Sequence, residues 1–238
     1  MCLNKNNILF VCGFVLLSMI ACHPQDTITS ATQIRFSQDS VYFDTVFTSI
    51  GSSTQRIMLY NDSKDPVFIE SISSKTTYFQ INLDGENQID LIKHYEIPAQ
   101  DSIFLFIRAC IDPFKQDNPV LIEDTLLFVI DNNVVSLPMQ AYGQDVILLK
   151  TKEGRTEFPS GYTFHANRPY LIYDTVLVAG KMQIMPGATL YMHNNASIYA
   201  LGSVEALGEK NAPITIRGDR LDKLFEKVPY KYASGQWG

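Results

Sequence analysis

The chain has 238 residues, 46% of them hydrophobic and 18% charged, with a formal net charge of −6. That length allows two domains, and the composition is ordinary for a folded chain, which excludes general disorder. An acidic balance with no basic run excludes a nucleic-acid footprint, so no nucleic-acid partner is expected.

Ile8 to Ala21 is a 14-residue apolar run preceded by the cation Lys5. It is shorter than the roughly 18 to 20 residues a membrane span needs, and it suits the core of a signal peptide over 1–21. Met19-Ile20-Ala21-Cys22 resembles a bacterial lipobox, in which a small residue precedes a cysteine that is cleaved before and lipid-modified. Ala21 and Cys22 fit that pattern, whereas Met19 stands where Leu is favoured. The resemblance implies lipidation at Cys22, a membrane partner reached through that lipid, and a cell-envelope location at the outer membrane; a plain secretory signal cut near Ala21, or an uncleaved anchor, is the other reading. Residues 22–33 then form a polar tether. Cys2 and Cys12 leave with the signal, so Cys110 remains as a buried, inert thiol at the end of the apolar run Ile103–Ile111.

Residues 34–147 show short β-rich runs with turn chemistry between them and no sustained helical period. Strands are expected near Ile34–Phe36, Val41–Val46, Arg56–Tyr60, Val67–Ser71, Phe79–Asn82, Ser102–Ala109, Thr125–Ile130 and Val134–Ala141. Asp131-Asn132-Asn133 joins the last two tightly enough for a hairpin. About eight strands in this length is the count of a β-sandwich. The order FDTVFTSIGSSTQRIMLYNDSKDPVFIESI, then DSIFLFIRACIDP, DTLLF and LPMQAYGQD, resembles an immunoglobulin-like class first described in abnormal-spindle and hydin proteins and found in envelope lipoproteins of Bacteroidota. The features that carry it are Tyr60-Asn61 before a turn and Gly143-Gln144-Asp145 at the end. Asp84, Glu86 and Asp90 share one loop but lack the spacing of a calcium loop, so a solvated turn is expected. His94 has no second ligand nearby and reads as a surface or edge residue.

Residues 148–175 are broken by Gly154, Pro159, Gly161 and Pro169 and read as a linker and solenoid cap, with Leu171-Ile172-Tyr173 pairing to the first rung. From Val176 to Arg217 the apolar residues fall on even numbers through several turns, and Ile198, Ala200, Gly202, Val204 and Ala206 stand 22 residues after Val176, Val178, Gly180, Met182 and Ile184. That is a strand period inside a coil repeat. The pattern resembles the opening coils of right-handed parallel β-helix proteins of the pectate-lyase-like kind, which assigns 176–238 to first coils. Two coils bury little core and Trp237-Gly238 resembles the entry to a further strand, so the chain is expected to be the amino-terminal part of a longer protein. A short helix-like excursion is expected at Leu221–Lys227.

The fold expected is therefore all-β, an immunoglobulin-like sandwich followed by the first coils of a right-handed parallel β-helix. Leu177, Tyr191, Tyr199 and Leu201 break the even-numbered rule and either form an exposed sugar-binding stripe or pack against the sandwich, packing being favoured. Tyr191, Tyr199, Glu205 and Arg217 are the candidate ligand surface. Asp219, Arg220 and Asp222 read as loop salt bridges, and His165 and His193 are not assigned to one site. No phosphate loop, nucleophile elbow or metal-spaced cluster occurs, so no catalytic residue, metal or cofactor is assigned. Two functions stand: a non-catalytic envelope lipoprotein presenting a binding or scaffolding surface to a glycan or an envelope protein, and a polysaccharide lyase or glycoside hydrolase whose active coils lie beyond residue 238.

Overall fold

The structure, a computed structural model, describes residues 34–87, 94–130, 133–225 and 228–229. The calls at Cys22, the tether 22–33, Asp90 and Trp237 lie outside them. No helix occurs among the described residues, and the fold is all-β: a sandwich-like pair of sheets followed by a β-solenoid of about three turns.

Nine strands build the sandwich: β1 (Ile34–Phe36), β2 (Val41–Phe47), β3 (Gln55–Asn61), β4 (Val67–Ser73), β5 (Phe79–Leu83), β6 (Tyr95–Ile97), β7 (Ser102–Ala109), β8 (Val120–Ile130) and β9 (Asn133–Gln144). One sheet has the order β1-β3-β7-β5 and the other β2-β9-β8-β4-β6, with β2 running parallel to β9. Alternate residues of both sheets, among them Ile57, Leu59, Leu105, Ile107, Leu126, Phe128 and Leu137, meet in one buried core. The hairpin β8–β9 closes with Ile130 opposite Asn133, as the turn chemistry predicts.

Two departures from strict alternation have a local cause. In β4 the inward set Val67, Ile69 changes parity to Ile72 because the ladder to β8 shifts between Ile69 and Ser71. In β2 the shift between Tyr42 and Thr45 moves the buried set from Val41 and Phe43 to Val46. An extra residue in one strand flips every later side chain to the other face.

β8 begins five residues before the expected Thr125. The extension carries the charged Glu123 and Asp124, and Asp124 is buried with its carboxylate accepting from the Lys75 and Thr76 amides, the Thr76 hydroxyl and the Thr125 amide. Burial alone would raise its pKa; these bonds outweigh burial and hold it below the usual carboxylate range. Cys110 is free and half-buried, less enclosed than the apolar run implied, because it stands at the strand's end.

Two polar staples fasten the sandwich where its turns enter. Asn61 is buried; its amide donates to the carbonyls of Asp65, Ile97 and Pro98, and its Oδ1 accepts from the Ser63 amide. Asp145 is buried beyond the end of β9 and accepts from the Phe114 and Gln116 amides and the Thr48 hydroxyl. Burial opposes its charge, yet the bonds win and its pKa lies below the ordinary value.

The solenoid starts earlier than the sequence pattern indicates. Residues 148–175, read as linker and cap, contribute a first coil made of β10 (Ile147–Leu149), β11 (Arg155–Phe158) and β12 (Gly161–Phe164). The second coil is β13 (Tyr170–Ile172), β14 (Thr175–Val178) and β15 (Lys181–Ile184). The third is β16 (Thr189–Met192), β17 (Ser197–Ala200) and β18 (Val204–Ala206), with β19 (Thr215–Gly218) opening a fourth. They stack into three parallel sheets, β10-β13-β16-β19, β11-β14-β17 and β12-β15-β18. Leu171 pairs with Tyr191 on the next rung, as expected for this segment.

The first coil escaped the even-number rule for two reasons. Tyr170 stands 23 residues after its partner Ile147, an odd step that reverses parity, whereas β11 and β12 follow a step of 20. Its inward residues are also mostly rings: Phe158 and Tyr162 stack at 3.9 Å, and Tyr162, Phe164 and Tyr170 meet edge to face. The rings of the first coil thus pack on one another and on Tyr170 of the second. Burial, with the hydrogen bond to Tyr170, pushes the Tyr162 phenol up to about 12.

The turn between the second and third sheets is as tight as backbone allows. A Cβ on Gly180 would lie 2.6 Å from the Ser160 carbonyl carbon, and one on Gly202 would lie 2.3 Å from the Gly180 oxygen. The helix-like excursion expected at Leu221–Lys227 is instead β20 (Lys223–Phe225) paired antiparallel with β21 (Val228–Pro229). Pro229 biases Val228 away from helical backbone.

Gly180→Ala is expected to destabilise the solenoid by about 3 kcal/mol, since the clash is with backbone that no rotamer relieves. Hydrogen exchange at Met182–Ile184 should rise markedly; unchanged protection there would refute the close stacking. Asp145→Asn is expected to weaken the sandwich at neutral pH and to flatten its acid limb. The lowered folded pKa means that stability is present above about pH 4 and lost as pH falls through the folded value. Urea titrations at stepped pH read both effects, and an identical acid limb in the variant would count against them.

Candidate functional site

The sheet β10-β13-β16-β19 faces two ways. Its inward residues, such as Leu149, Ile172, Leu190 and Met192, belong to the solenoid core. Its outward ladder Leu148–Leu171–Tyr191–Arg217 turns towards the sandwich: Leu171 is fully buried, and the Tyr191 ring lies 4.8 Å from the ring of Phe47 in β2. Arg168 reaches across to Asp117 at the edge of this junction.

Just past these strands the same register produces a second ladder. Leu149 pairs with Ile172, Ile172 with Met192 and Met192 with Gly218, so the next residues, Lys150, Tyr173, His193 and Asp219, fall into line. Backbone bonds keep the line: the amides of Tyr173, His193 and Asp219 donate to the carbonyls of Leu149, Ile172 and Met192. Lys150 Nζ sits 4.8 Å over the Tyr173 ring, Tyr173 stacks on His193 at 3.9 Å and 9°, and His193 Nδ1 lies 2.6 Å from Asp219 Oδ2. Burial, then the charge of Asp219, raises the Tyr173 pKa.

Tyr173, His193 and Asp219 of this ladder form one wall of a groove of about 340 Å³ whose other wall is the sandwich. Asp44, Ser52, Ser53 and Arg108 line the sandwich side; Arg220 and Asp222 close the solenoid side. Arg108 donates to the Ile50 carbonyl at 2.9 Å, and Arg220 forks onto Asp222 at 2.8 and 2.5 Å. Burial would raise the Asp222 pKa, but Arg220 and a hydrogen bond from Ser53 outweigh it and lower the value. The groove thus holds the pairs Arg220–Asp222 and His193–Asp219 on the solenoid side, with Asp44 and Arg108 on the sandwich side.

The four residues proposed as a ligand surface do not converge. Tyr191 packs on Phe47, and burial raises its pKa, with Arg217 opposing and Asp44 adding to the shift. Arg217 is its ladder neighbour and donates to the Arg220 carbonyl. Tyr199 stands on the second sheet, more than half exposed, beside Leu177 of the coil before it. Glu205 is on the third, held by Lys181 and Gln183, which lower its pKa. Tyr191 therefore follows the packing reading, whereas Tyr199 and Leu201 remain exposed.

Elsewhere, His165 is not among the groove residues, and His94 stacks on Phe68 at 4.7 Å. Asp84 accepts from the Tyr95 hydroxyl in an exposed turn. Among the described residues no group of three or more His, Cys, Asp or Glu side chains is placed to hold a metal ion. The pair His193–Asp219 was missed because the residues lie 26 apart across an irregular coil; the step from Met192 to Gly218 was the available signal.

No protein-family model matches the sequence, and no curated protein matches it. Among solved structures the chain is similar to a family 123 glycoside hydrolase from Clostridium perfringens (TM-score 0.35, 8% identity, 46% of this chain and 25% of that one). It is also similar to a protein of unknown function from Porphyromonas gingivalis W83 (TM-score 0.33, 16% identity, 48% and 49%) and to the E. coli chaperone DraB (TM-score 0.30, 13% identity, 46% and 53%). The chain thus spans from a quarter to about half of the length of these proteins.

Asp219→Asn is expected to lower the Tyr173 pKa, because the charge that disfavours phenolate is gone. The raised folded value means that Tyr173 contributes stability below about pH 10 that is lost as pH rises through it. Ultraviolet difference titration against Tyr173→Phe reads the shift; an unmoved or higher value would contradict the geometry.

Proposed function

We propose that this chain is a non-catalytic cell-envelope lipoprotein, held at the outer membrane by lipid on Cys22, whose sandwich and solenoid form a frame for a binding surface. The observation that carries the reading is the groove between the two units, where Tyr173, His193 and Asp219 are set in line opposite Asp44 and Arg108. Groups already held by neighbours lose little freedom when a ligand arrives, which favours recognition. The pairs Arg220–Asp222 and His193–Asp219, with Arg108 across from them, suit the hydroxyls of a glycan, and the junction suits scaffolding of an envelope protein. The sequence around Ala21-Cys22 supports the anchor.

A glycan array with the full chain is expected to give hits whose binding falls about tenfold in Arg108→Ala, the loss of one charge-assisted hydrogen bond. Turnover of an acidic polysaccharide by this chain, abolished by one Asp or Glu substitution, would replace the reading with an enzymatic one. For the anchor, mass spectrometry should find lipid on an amino-terminal Cys22, and Cys22→Ala should leave the membrane fraction. An unmodified terminus would remove that part of the proposal.

A further inference from the structure

The outward face of the sheet β1-β3-β7-β5 carries an incomplete copy of a motif that is complete elsewhere on the same face. Arg35 lies over the Tyr60 ring, 4.2 Å from its centroid, and its fork meets the Asp62 carboxylate at 2.9 and 3.3 Å. Ring, guanidinium and carboxylate form a three-part stack: the ring holds the cation flat, and the cation presents its N–H edge to the acid. Arg56 repeats the first two parts, lying 5.4 Å over the Phe104 ring. Among the described residues Arg56 has no carboxylate partner.

The ground around Arg56 is apolar. Met58 stands opposite Phe104 in the register and Arg56 opposite Phe106, and the rings of Phe104 and Phe106 lie 5.9 Å apart on one strand. Phe104 is exposed. Aromatic rings, Met and Arg without Lys or Glu is the composition of an interface centre, and it sits here on a chain of net charge −6.

We propose that this face docks a protein partner that brings an Asp or Glu carboxylate to Arg56, flanked by an apolar side chain that rests on Met58, Phe104 and Phe106. Charge complementarity selects an acidic partner. A polypeptide is favoured over an anionic sugar because Arg56 is set among Met58, Phe104 and Phe106, apolar ground that an apolar side chain covers and a hydroxyl-rich ring does not. This docking surface goes beyond the groove and stands whether or not the groove binds a glycan.

The test uses the full chain in detergent and three probes: twelve-residue peptides with one Asp or Glu between Leu and Phe, the same peptides with Asn or Gln in place of the acid, and oligogalacturonate. The acidic peptides should bind, more weakly as salt rises, and the neutral ones should not. Arg56→Gln should reduce binding about tenfold, the loss of one forked, charge-assisted pair. Arg56→Lys should recover little of it, because a lysine lacks the planar fork, whereas Arg35→Gln should leave it nearly unchanged. Arg56 is exposed, so unfolding curves of the variants should overlay the parent's. Equal binding of neutral peptides, indifference to Arg56→Gln, or Arg56-dependent binding of oligogalacturonate alone overturns the proposal. None of these results bears on the lipid anchor or on Arg108-dependent glycan binding, which fail separately.

Discussion

The arrangement depends on one strand that is buried on both faces. Tyr170, Leu171 and Ile172 of β13 are each no more than 1% exposed, the first and third inside the solenoid and the middle one against the sandwich. A strand in that position has no water to satisfy its backbone, so its edges must be paired on both sides, and β10 and β16 pair it in parallel. Both apolar faces and both ladder edges are committed at once. The solenoid is thereby attached through its own sheet rather than through a linker, and the groove inherits its geometry from that attachment.

Stacking in register then does the placing of side chains. Each coil contributes one residue to each ladder, so residues far apart in sequence arrive at contact distance without any loop having to position them. Lys150, Tyr173, His193 and Asp219 come from four successive rungs and touch in order. The constraint is indifferent to coil length: the steps of 23, 20 and 26 residues are absorbed in turns while the strands stay aligned. It also explains the bare backbone at Gly180 and Gly202, where adjacent coils approach too closely for any side chain.

The same constraint decides what could be read from the sequence. Alternation identified nearly every sandwich strand because one face of each is buried, and it identified the second and third coils because their steps preserve parity. It lost the first coil where one step is odd and the interior is aromatic. Parity separates inside from outside but does not say which of three outer faces a residue occupies, so Tyr191, Tyr199, Glu205 and Arg217 looked alike in sequence and stand on three sheets. Short polar staples were legible as markers and not as bonds. Asn61 before a turn and Asp145 at the end of the block carry the family resemblance in the sequence, yet nothing there shows that each is buried with its side chain bonded across the fold.

Packing and polar groups divide the work at the junction. The apolar contacts at Leu171, Tyr191 and Phe47 exclude water and supply most of the attachment, since burial of a single large apolar side chain stabilises by about 2 kcal/mol. The Arg168–Asp117 pair at the rim is partly exposed and contributes on the order of 0.5 kcal/mol after screening. Its value lies in direction: an ion pair that is weak in energy still favours one orientation of the solenoid against the sandwich. Arg108 on the sandwich and His193 on the solenoid face one groove across the same junction that Arg168 and Asp117 bridge, so the placing of the groove's two walls depends on the packing at Leu171, Tyr191 and Phe47.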